Sequence, residues 1–444
     1  MNLDAIFKAY DIRGVVPDDL NEDLVTKLGK AFATFVEADT VMVGHDMRNT
    51  SLPLAEAFAS GVMSTGKNVT FLGLIPTDAS YYAAGKYELP CVMFTASHNP
   101  AQWNGLKLTN AGAVPIGLES GLQDIRDILE KELWKESSTP GTRSDKNVID
   151  EYIAHALSLV DVSKIKPFKV AIDAGNGMGG YVAPKLFEHL PCEVIPLYFE
   201  LDGTMPNHEP NPIKSENVAD LIEAVKKEGA DIGLAFDGDA DRVFFIDEKG
   251  SRVSASFVGA MVAKNMLKKN PGATIIYNAV SSKIVPETIE KNGGTAVIER
   301  VGHSFIKKTM AETGAVFATE HSGHYYFKDN YRADSGLITS LIVLEMLSET
   351  DKPFSELLAE FQKYFAIEET NSEVDDKDAA IARVKEKYAD AKITELDGVT
   401  FEYDDYWFNV RPSNTEPVLR LNLEANTPEL RDEKAAEVLQ IIRG

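Results

Sequence analysis

Three carboxylates stand at alternating positions in Asp237-Gly238-Asp239-Ala240-Asp241-Arg242, directly after the apolar run 231–236. Crowded into one turn, such groups repel one another and resist ionising together. A hard divalent cation removes the conflict, and an all-oxygen set suits Mg²⁺ or Ca²⁺, the former completing its shell with water or a substrate phosphate. A second stretch, Thr95-Ala96-Ser97-His98-Asn99-Pro100, breaks off the apolar run 91–94 and leaves the Ser97 hydroxyl at a strand end. Ligands of open α/β sheets bind beyond the carboxyl ends of the strands, so a hydroxyl there is placed to meet a small molecule. Glu320 and Ser322, two apart in an extended turn, project to one side and suit a pair of neighbouring hydroxyls. Arg411-Pro412-Ser413-Asn414-Thr415-Glu416-Pro417 offers a guanidinium, two hydroxyls, an amide and backbone N–H groups, which suits a phosphate dianion.

Each stretch has rivals. Asp237, Asp239, Asp241 and Glu248 fall at positions 1, 3, 5 and 12 of an EF-hand loop, but Arg242 stands where that loop needs glycine and apolar strand-like runs flank it. Gly175, Gly177 and Gly180 match GxGxxG after the strand-like run 168–173, with Glu200 at the distance of a ribose-binding acid. A dinucleotide-binding oxidoreductase is therefore the runner-up, although such glycines also pack a helix onto a strand. A serine hydrolase is disfavoured, because GxSxG is absent and the adjacent Ser97 and His98 are not expected to face each other. A sugar-phosphate binding protein without turnover is the remaining non-enzymatic reading.

The elements that must hold these loops alternate along the chain. Apolar periodicity predicts a helix over 21–37, a strand over 41–44, a helix over 51–66, a strand over 68–74, a short helix over 78–87 and the strand 91–94. The pattern repeats from 168 to 249 and again from 250 to about 349, so three βαβ segments follow one another. Beyond residue 352 it changes: a helix over 379–388, a hairpin broken at Asp397-Gly398, two strands and a final helix over 428–442 read as a small α+β domain. The predicted domains are 1–145, 146–249, 250–366 and 367–444.

Composition narrows the class. The chain has 444 residues, enough for three or four domains at about 150 residues each. Its formal net charge of −24 argues against nucleic acid and anionic membranes as partners, so an anionic substrate must find its cations locally. Two cysteines without CxxC spacing indicate neither a disulfide framework nor a zinc site, and a reducing cytoplasm fits. No run of 18 apolar residues occurs, and we expect neither export nor a membrane span.

Taken together, the four loops in this order resemble the α-D-phosphohexomutase superfamily from end to end, most closely its phosphomannomutase/phosphoglucomutase branch. TASHNP (95–100) resembles the phosphoserine loop, DGDADR (237–242) the metal loop, EHSGH (320–324) the sugar loop and RPSNTEP (411–417) the phosphate loop, while KAYDIRG (8–14) is similar to the family's N-terminal active-site segment. The resemblance implies three Rossmann-like βαβ domains with mixed sheets and a C-terminal α+β domain of the TATA-binding-protein type, arranged around a central cleft. It implies that Ser97 carries a phosphoryl group and that Mg²⁺ is held by Ser97, Asp237, Asp239 and Asp241. The phosphoryl group would move between C1 and C6 of a hexose monophosphate through a hexose 1,6-bisphosphate that turns over. Glu320 and Ser322 would hold the O3 and O4 hydroxyls, and Arg411, Ser413, Asn414 and Thr415 the phosphate that is not reacting. Arg13, Lys107, His303 and His324 become the candidates for charge stabilisation and proton transfer, with Tyr10, His98 and Arg242 in support.

The chain departs from that pattern in places. Ala240 stands where the family often has glycine or a bulky residue, and is expected to be harmless. No lysine stands near Val280, so Lys283 becomes the substrate-contacting base. His321 replaces a frequent methionine or glutamine. Phosphoglucosamine mutase is the nearest alternative, and Asn414 favours the hexose branch. Monomer and homodimer both remain open.

Overall fold

The computed structural model describes residues 3–413 and 418–444 and divides into two compact units, Met1–Ser254 with Ser322–Leu357, and Ala255–His321 with Leu358–Gly444. Within the first unit, one sheet carries the strands Ile12–Val15, Trp103–Asn110, Cys91–Phe94, Thr40–His45, Asn68–Leu74 and Arg143–Asp145 in that order. Thr40–His45 runs parallel to both Asn68–Leu74 and Cys91–Phe94, as βαβ connections demand. The helices Glu22–Phe35 and Ser51–Ser64 lie close together, and Leu24, Leu28, Phe32, Leu54, Phe58 and Val62 bury their apolar faces in one core with Val41, Val43 and Phe94. Asn21 caps the first of these helices, its side chain accepting from Leu24 N–H at 3.0 Å.

The strand Trp103–Asn110 is not among the strands that the apolar periodicity predicts. Gly105 and Asn110 dilute its apolar alternation, and antiparallel pairing with Cys91–Phe94 and Ile12–Val15 makes it a strand. It sets Lys107 opposite Met93 and Arg13 opposite Gly105. The second sheet of this unit orders Arg252–Val253, Val243–Asp247, Ile232–Phe236, Lys169–Asp173 and Glu193–Leu197. Lys169–Asp173 is parallel to both neighbours, whereas Val243–Asp247 turns back antiparallel on Ile232–Phe236. The tight reversal between those last two strands is the DGDADR loop.

Among the glycines 175, 177 and 180, Gly177 packs against the aspartate loop and Gly180 against the Phe199 backbone. A β-carbon at Gly177 would lie 2.6 Å from the Gly238 carbonyl oxygen, and Met178 N–H donates to that same oxygen at 2.9 Å. The turn that would cradle a pyrophosphate is filled by the backbone of the aspartate loop, so the oxidoreductase reading fails on packing.

In the second unit, Thr274–Asn278 lies between Thr295–Glu299 and Phe317–Thr319, all parallel. The chain beyond 364 forms an antiparallel sheet of Phe365–Ala366, Val418–Ala425, Tyr406–Pro412, Val399–Glu402 and Lys392–Thr394, with Thr370–Glu373 also pairing Val418–Ala425. The helices Lys377–Lys387 and Pro428–Arg443 contribute Ala380, Val384, Val438 and Ile442 to its core. Gly398 (φ +65°) makes the Asp397-Gly398 hairpin turn between the last two strands. Among the described residues, no helix is long and apolar enough to cross a membrane. Gly177→Ala is expected to destabilise the protein by about 2 kcal/mol through overpacking, read as a lower midpoint in denaturant or thermal unfolding.

Candidate active site

Strand Cys91–Phe94 is wholly buried, and the chain leaves it through a turn closed by Ser97 N–H donating to Thr95 Oγ1 at 2.9 Å. Ser97 sits at φ +50°, in the left-handed region that costs an L-residue about 1 kcal/mol. Its Oγ donates to Asp237 Oδ2 at 2.7 Å and lies 3.2 Å from His98 Nδ1. The adjacent Ser97 and His98 therefore do face each other, contrary to expectation, because the left-handed turn brings the side chains together. The hydroxyl proton is nonetheless directed at a carboxylate, which is not the arrangement of a base-activated hydrolase serine.

The strand Ile232–Phe236 delivers Asp237, Asp239 and Asp241 into a reversal whose backbone touches the serine loop: a β-carbon on Gly238 would lie 2.4 Å from the Ser97 carbonyl oxygen. Ala240 adopts φ +64°. Alanine is thus not wholly harmless there, since its β-carbon carries a left-handed penalty of about 1 kcal/mol that glycine avoids. All three aspartates are buried. Burial pushes the Asp237 carboxyl up, Asp239 and Asp241 add to the effect, and Arg242 opposes it. Burial acts on Asp239 in the same direction, but Lys107 and a hydrogen bond from Thr77 outweigh it and hold that carboxyl below the usual range.

Lys107 is the internal counter-ion. Its Nζ donates to Asp239 Oδ2 at 2.8 Å and to Asp241 Oδ2 at 2.6 Å, and burial, which disfavours the ammonium, is overcome by those two carboxylates. Arg242 Nε and backbone N–H donate to Asp237 at 2.9 and 3.1 Å. One oxygen each of Asp239 and Asp241, Oδ1, is buried without a hydrogen-bond partner among the described residues. A carboxylate oxygen from each of the three aspartates lies within 4.8 Å of the others. Hard oxygen donors, two of them with open lone pairs, fit a divalent cation such as Mg²⁺.

The same unit gathers further predicted residues. Arg13 donates to Asn99 Oδ1 at 2.6 Å and to Asp11, and Tyr10 is half-buried three residues earlier in the same segment. Burial first, then Arg242 and Arg13, push the His98 imidazole below its usual range. His324 meets Ser322 Oγ through Nδ1 at 2.9 Å, while its Nε2 lies 3.7 Å from Asp241 Oδ1 and 3.9 Å from Asp334 Oδ2. The sequence does not single out Thr77, whose hydroxyl and N–H bond Asp239, nor Asp334 or Arg48. Only Arg48 carried a usable signal, since HDMRNT follows a strand just as TASHNP does.

The remaining predicted residues lie in the second unit. Glu320 is buried, its Oε2 accepting from Asn278 Nδ2 and from Gly302 N–H, both at 3.2 Å, which ties it to the residue before His303. His303 opens the helix His303–Thr313. Arg411 Nη2 donates to Glu369 Oε2 at 2.9 Å, Arg420 Nη1 to Glu369 Oε1 at 3.2 Å, and Asn422 Nδ2 to Glu369 Oε2 at 3.0 Å. Ser413, just past the strand Tyr406–Pro412, is buried, with Arg420 Nη2 3.5 Å from its Oγ. Asn414 and Thr415 lie outside the described residues. Lys283 Nζ donates to the Tyr403 carbonyl at 3.0 Å and pairs Glu402 at 3.7 Å, so the lysine ties two segments of this unit together.

A buried serine hydroxyl on a buried aspartate trio, with lysine and arginine counter-ions, is an arrangement that can place a divalent cation and positive charge beside a hydroxyl or a phosphate. Four family models match in succession: phosphoglucomutase/phosphomannomutase alpha/beta/alpha domain I over residues 4–136, domain II over 150–250, domain III over 255–364 and the C-terminal domain over 369–441. The chain is 36% identical to a phosphomannomutase of Escherichia coli over 98% of this chain and 99% of the relative. It is 39% identical to a phosphomannomutase/phosphoglucomutase of Pseudomonas putida, covering 96% and 92%. A crystal structure of a phosphoglucomutase/phosphomannomutase family protein from Burkholderia thailandensis superposes with a TM-score of 0.91 at 32% identity, covering 100% of this chain and 98% of that one. The chain belongs to the phosphoglucomutase/phosphomannomutase family and is a hexose-phosphate mutase.

Glu369 supplies a test by acid. Burial works against its carboxylate, but His321, Arg411, Arg420 and a hydrogen bond from Asn422 overcome it and hold the group at about 2. A depressed carboxyl stabilises the fold above its unfolded value near 4.5 and loses that contribution as pH falls toward about 2. Glu369→Gln is therefore expected to cost about 3 kcal/mol at neutral pH, with the gap to the parent protein closing between these two pH values in a series of denaturant titrations.

Proposed function

We propose that this mutase moves the phosphoryl group between C1 and C6 of glucose and mannose phosphates, with Ser97 as its carrier. The observation that carries the reading is the 2.7 Å hydrogen bond between Ser97 Oγ and Asp237, inside a cluster where Lys107 and Arg242 already balance negative charge. In the transfer, the Oγ–P bond of phosphorylated Ser97 breaks as a sugar hydroxyl oxygen bonds to phosphorus. The hydroxyl's proton leaves to a base, and the Ser97 oxygen departs as the anion that the positive groups around it stabilise. The reverse step from the other end of the resulting hexose 1,6-bisphosphate returns a phosphoryl group to Ser97.

Phosphoryl transfer depends chiefly on positioning and charge stabilisation, and the first unit supplies both. Asp237, Asp239, Asp241 and the Ser97 oxygen would hold Mg²⁺, which when bound neutralises charge on the phosphoryl oxygens. Lys107, held charged by two aspartates, and Arg242 keep positive charge at the serine loop, and Arg13 joins them through Asn99. His324, steadied by Ser322, and His303 in the second unit are the imidazoles for the hydroxyl's proton. Arg411 and Ser413, with Asn414 and Thr415, bind the phosphate that is not reacting. Glu320 and Ser322 read O3 and O4, and because glucose and mannose differ only at C2, both are substrates. The name of the Pseudomonas putida relative, which covers both activities, supports that dual use.

Ser97→Ala should lower turnover of both sugar 1-phosphates by about a thousandfold or more while sugar-phosphate binding survives in calorimetry, and phosphopeptide mapping of the parent protein should place exchangeable label on Ser97. Turnover of mannose 1-phosphate alone would defeat the dual assignment. Chelation of divalent ions should abolish activity, and Mg²⁺ should restore it.

A further inference from the structure

The loop that presents Ser97 is tied down by a residue with no assigned part in the reaction. Arg48, in the turn after strand Thr40–His45, is 2% exposed. Its Nη2 donates to the carbonyl oxygens of Ser97 at 2.8 Å and Asn99 at 2.6 Å, and its Nη1 to those of Pro100 and Trp103, both at 2.9 Å. Each terminal nitrogen of a guanidinium carries two N–H groups, so all four are spent on four carbonyls of the nucleophile loop. The remaining Nε faces Asp46 Oδ2 at 3.4 Å.

Asp46 is itself fixed. Its Oδ1 accepts from Arg48 N–H at 2.9 Å and from Ser51 Oγ at 2.5 Å, and Ser51 Oγ accepts from Asn104 Nδ2 at 2.9 Å. Asn104 lies just beyond the loop, on the strand Trp103–Asn110, and also donates to Thr50 Oγ1 at 2.8 Å. The loop is thus gripped from within by a guanidinium and at its exit by an amide, both anchored on the segment 46–51.

We propose that Arg48 is the positioning residue of phosphoryl transfer, holding Ser97 in its left-handed conformation so that the hydroxyl points at Asp237. Four carbonyl oxygens gathered around one point repel one another and, buried, need donors. Only a planar fork of several N–H groups meets that demand; a lysine, with three donors on one nitrogen, cannot span the set. The strain at Ser97 persists because the surroundings over-determine it. Arg48 donates to the Ser97 carbonyl and places a fixed positive charge behind the hydroxyl that the phosphoryl group leaves and rejoins. The assignment rests on Ser97 being the phosphoryl carrier.

Arg48→Lys keeps the charge and removes the fork. In the full-length protein we expect kcat to fall about a hundredfold with KM for the sugar monophosphate nearly unchanged, and phosphorylation of Ser97 by hexose 1,6-bisphosphate to slow in parallel. Hydrogen exchange should quicken in the peptide covering 95–104 and not across the protein. Parent-like kcat and exchange in the folded variant would overturn the proposal, as would a uniform rise in exchange with binding and turnover falling together. Should Arg48→Lys fail to fold, Asp46→Asn loosens the same fork from behind and must change kcat and local exchange in the same directions to a smaller extent. If the parent protein takes up no phosphoryl group at Ser97, the carrier assignment fails, whereas the exchange measurement still decides whether Arg48 fixes the loop.

Discussion

Three carboxylates buried in one reversal are a standing electrostatic problem, and the first unit is built around its solution. Each uncompensated charge out of water costs several kcal/mol, so the loop Asp237–Asp241 is tenable only with cations brought to it. Lys107 and Arg242 do this within the chain, and the Oδ1 atoms of Asp239 and Asp241, buried without a hydrogen-bond partner among the described residues, leave an oxygen set that could hold a divalent cation. Against that crowding, Arg242 and the hydrogen bond from the Ser97 hydroxyl favour the Asp237 carboxylate, and the same hydrogen bond joins the serine loop to the aspartate loop.

That arrangement explains the backbone around it. Two loops can approach as closely as those of Ser97 and Gly238 only if one of them lacks a side chain at the contact, and Gly177 gives way to the same loop from the other side. Left-handed residues at Ser97 and Ala240 follow from the need to turn polar side chains inward within a few residues of a buried strand end. Strain of this kind is stored where chemistry needs fixed geometry, and rigid sheets on both sides hold it.

The residues proposed for the reaction are divided between the two compact units. Those proposed to handle the transferring phosphoryl, Ser97, Lys107 and the three aspartates, lie in the first unit. Groups suited to a second phosphate and to sugar hydroxyls lie largely in the second, where Glu369 holds Arg411 and Arg420 as a charged pair rather than leaving two guanidiniums to repel. The boundary falls between His321 and Ser322, inside the stretch 320–324.

Much of this was legible without coordinates, because the motifs are local. Alternating aspartates after an apolar run, a serine at a strand end and the Asp397-Gly398 turn each carry their meaning within about ten residues, and strands such as Cys91–Phe94 and Asn68–Leu74 stand where their apolar runs predict them. What the residues could not say is which distant groups they meet. Lys107 reaches Asp239 across 132 positions and Ser97 reaches Asp237 across 140, contacts set by strand register and not by spacing. The strand that carries Lys107 exists through its neighbours more than through its own pattern, Gly177 of GxGxxG serves a loop some 60 residues further on, and Lys283 meets Tyr403 across 120 positions. Sequence by itself determined the chemistry available, since that is a property of side chains; only tertiary structure decided their partners, since burial makes each polar group's choice depend on everything packed against it.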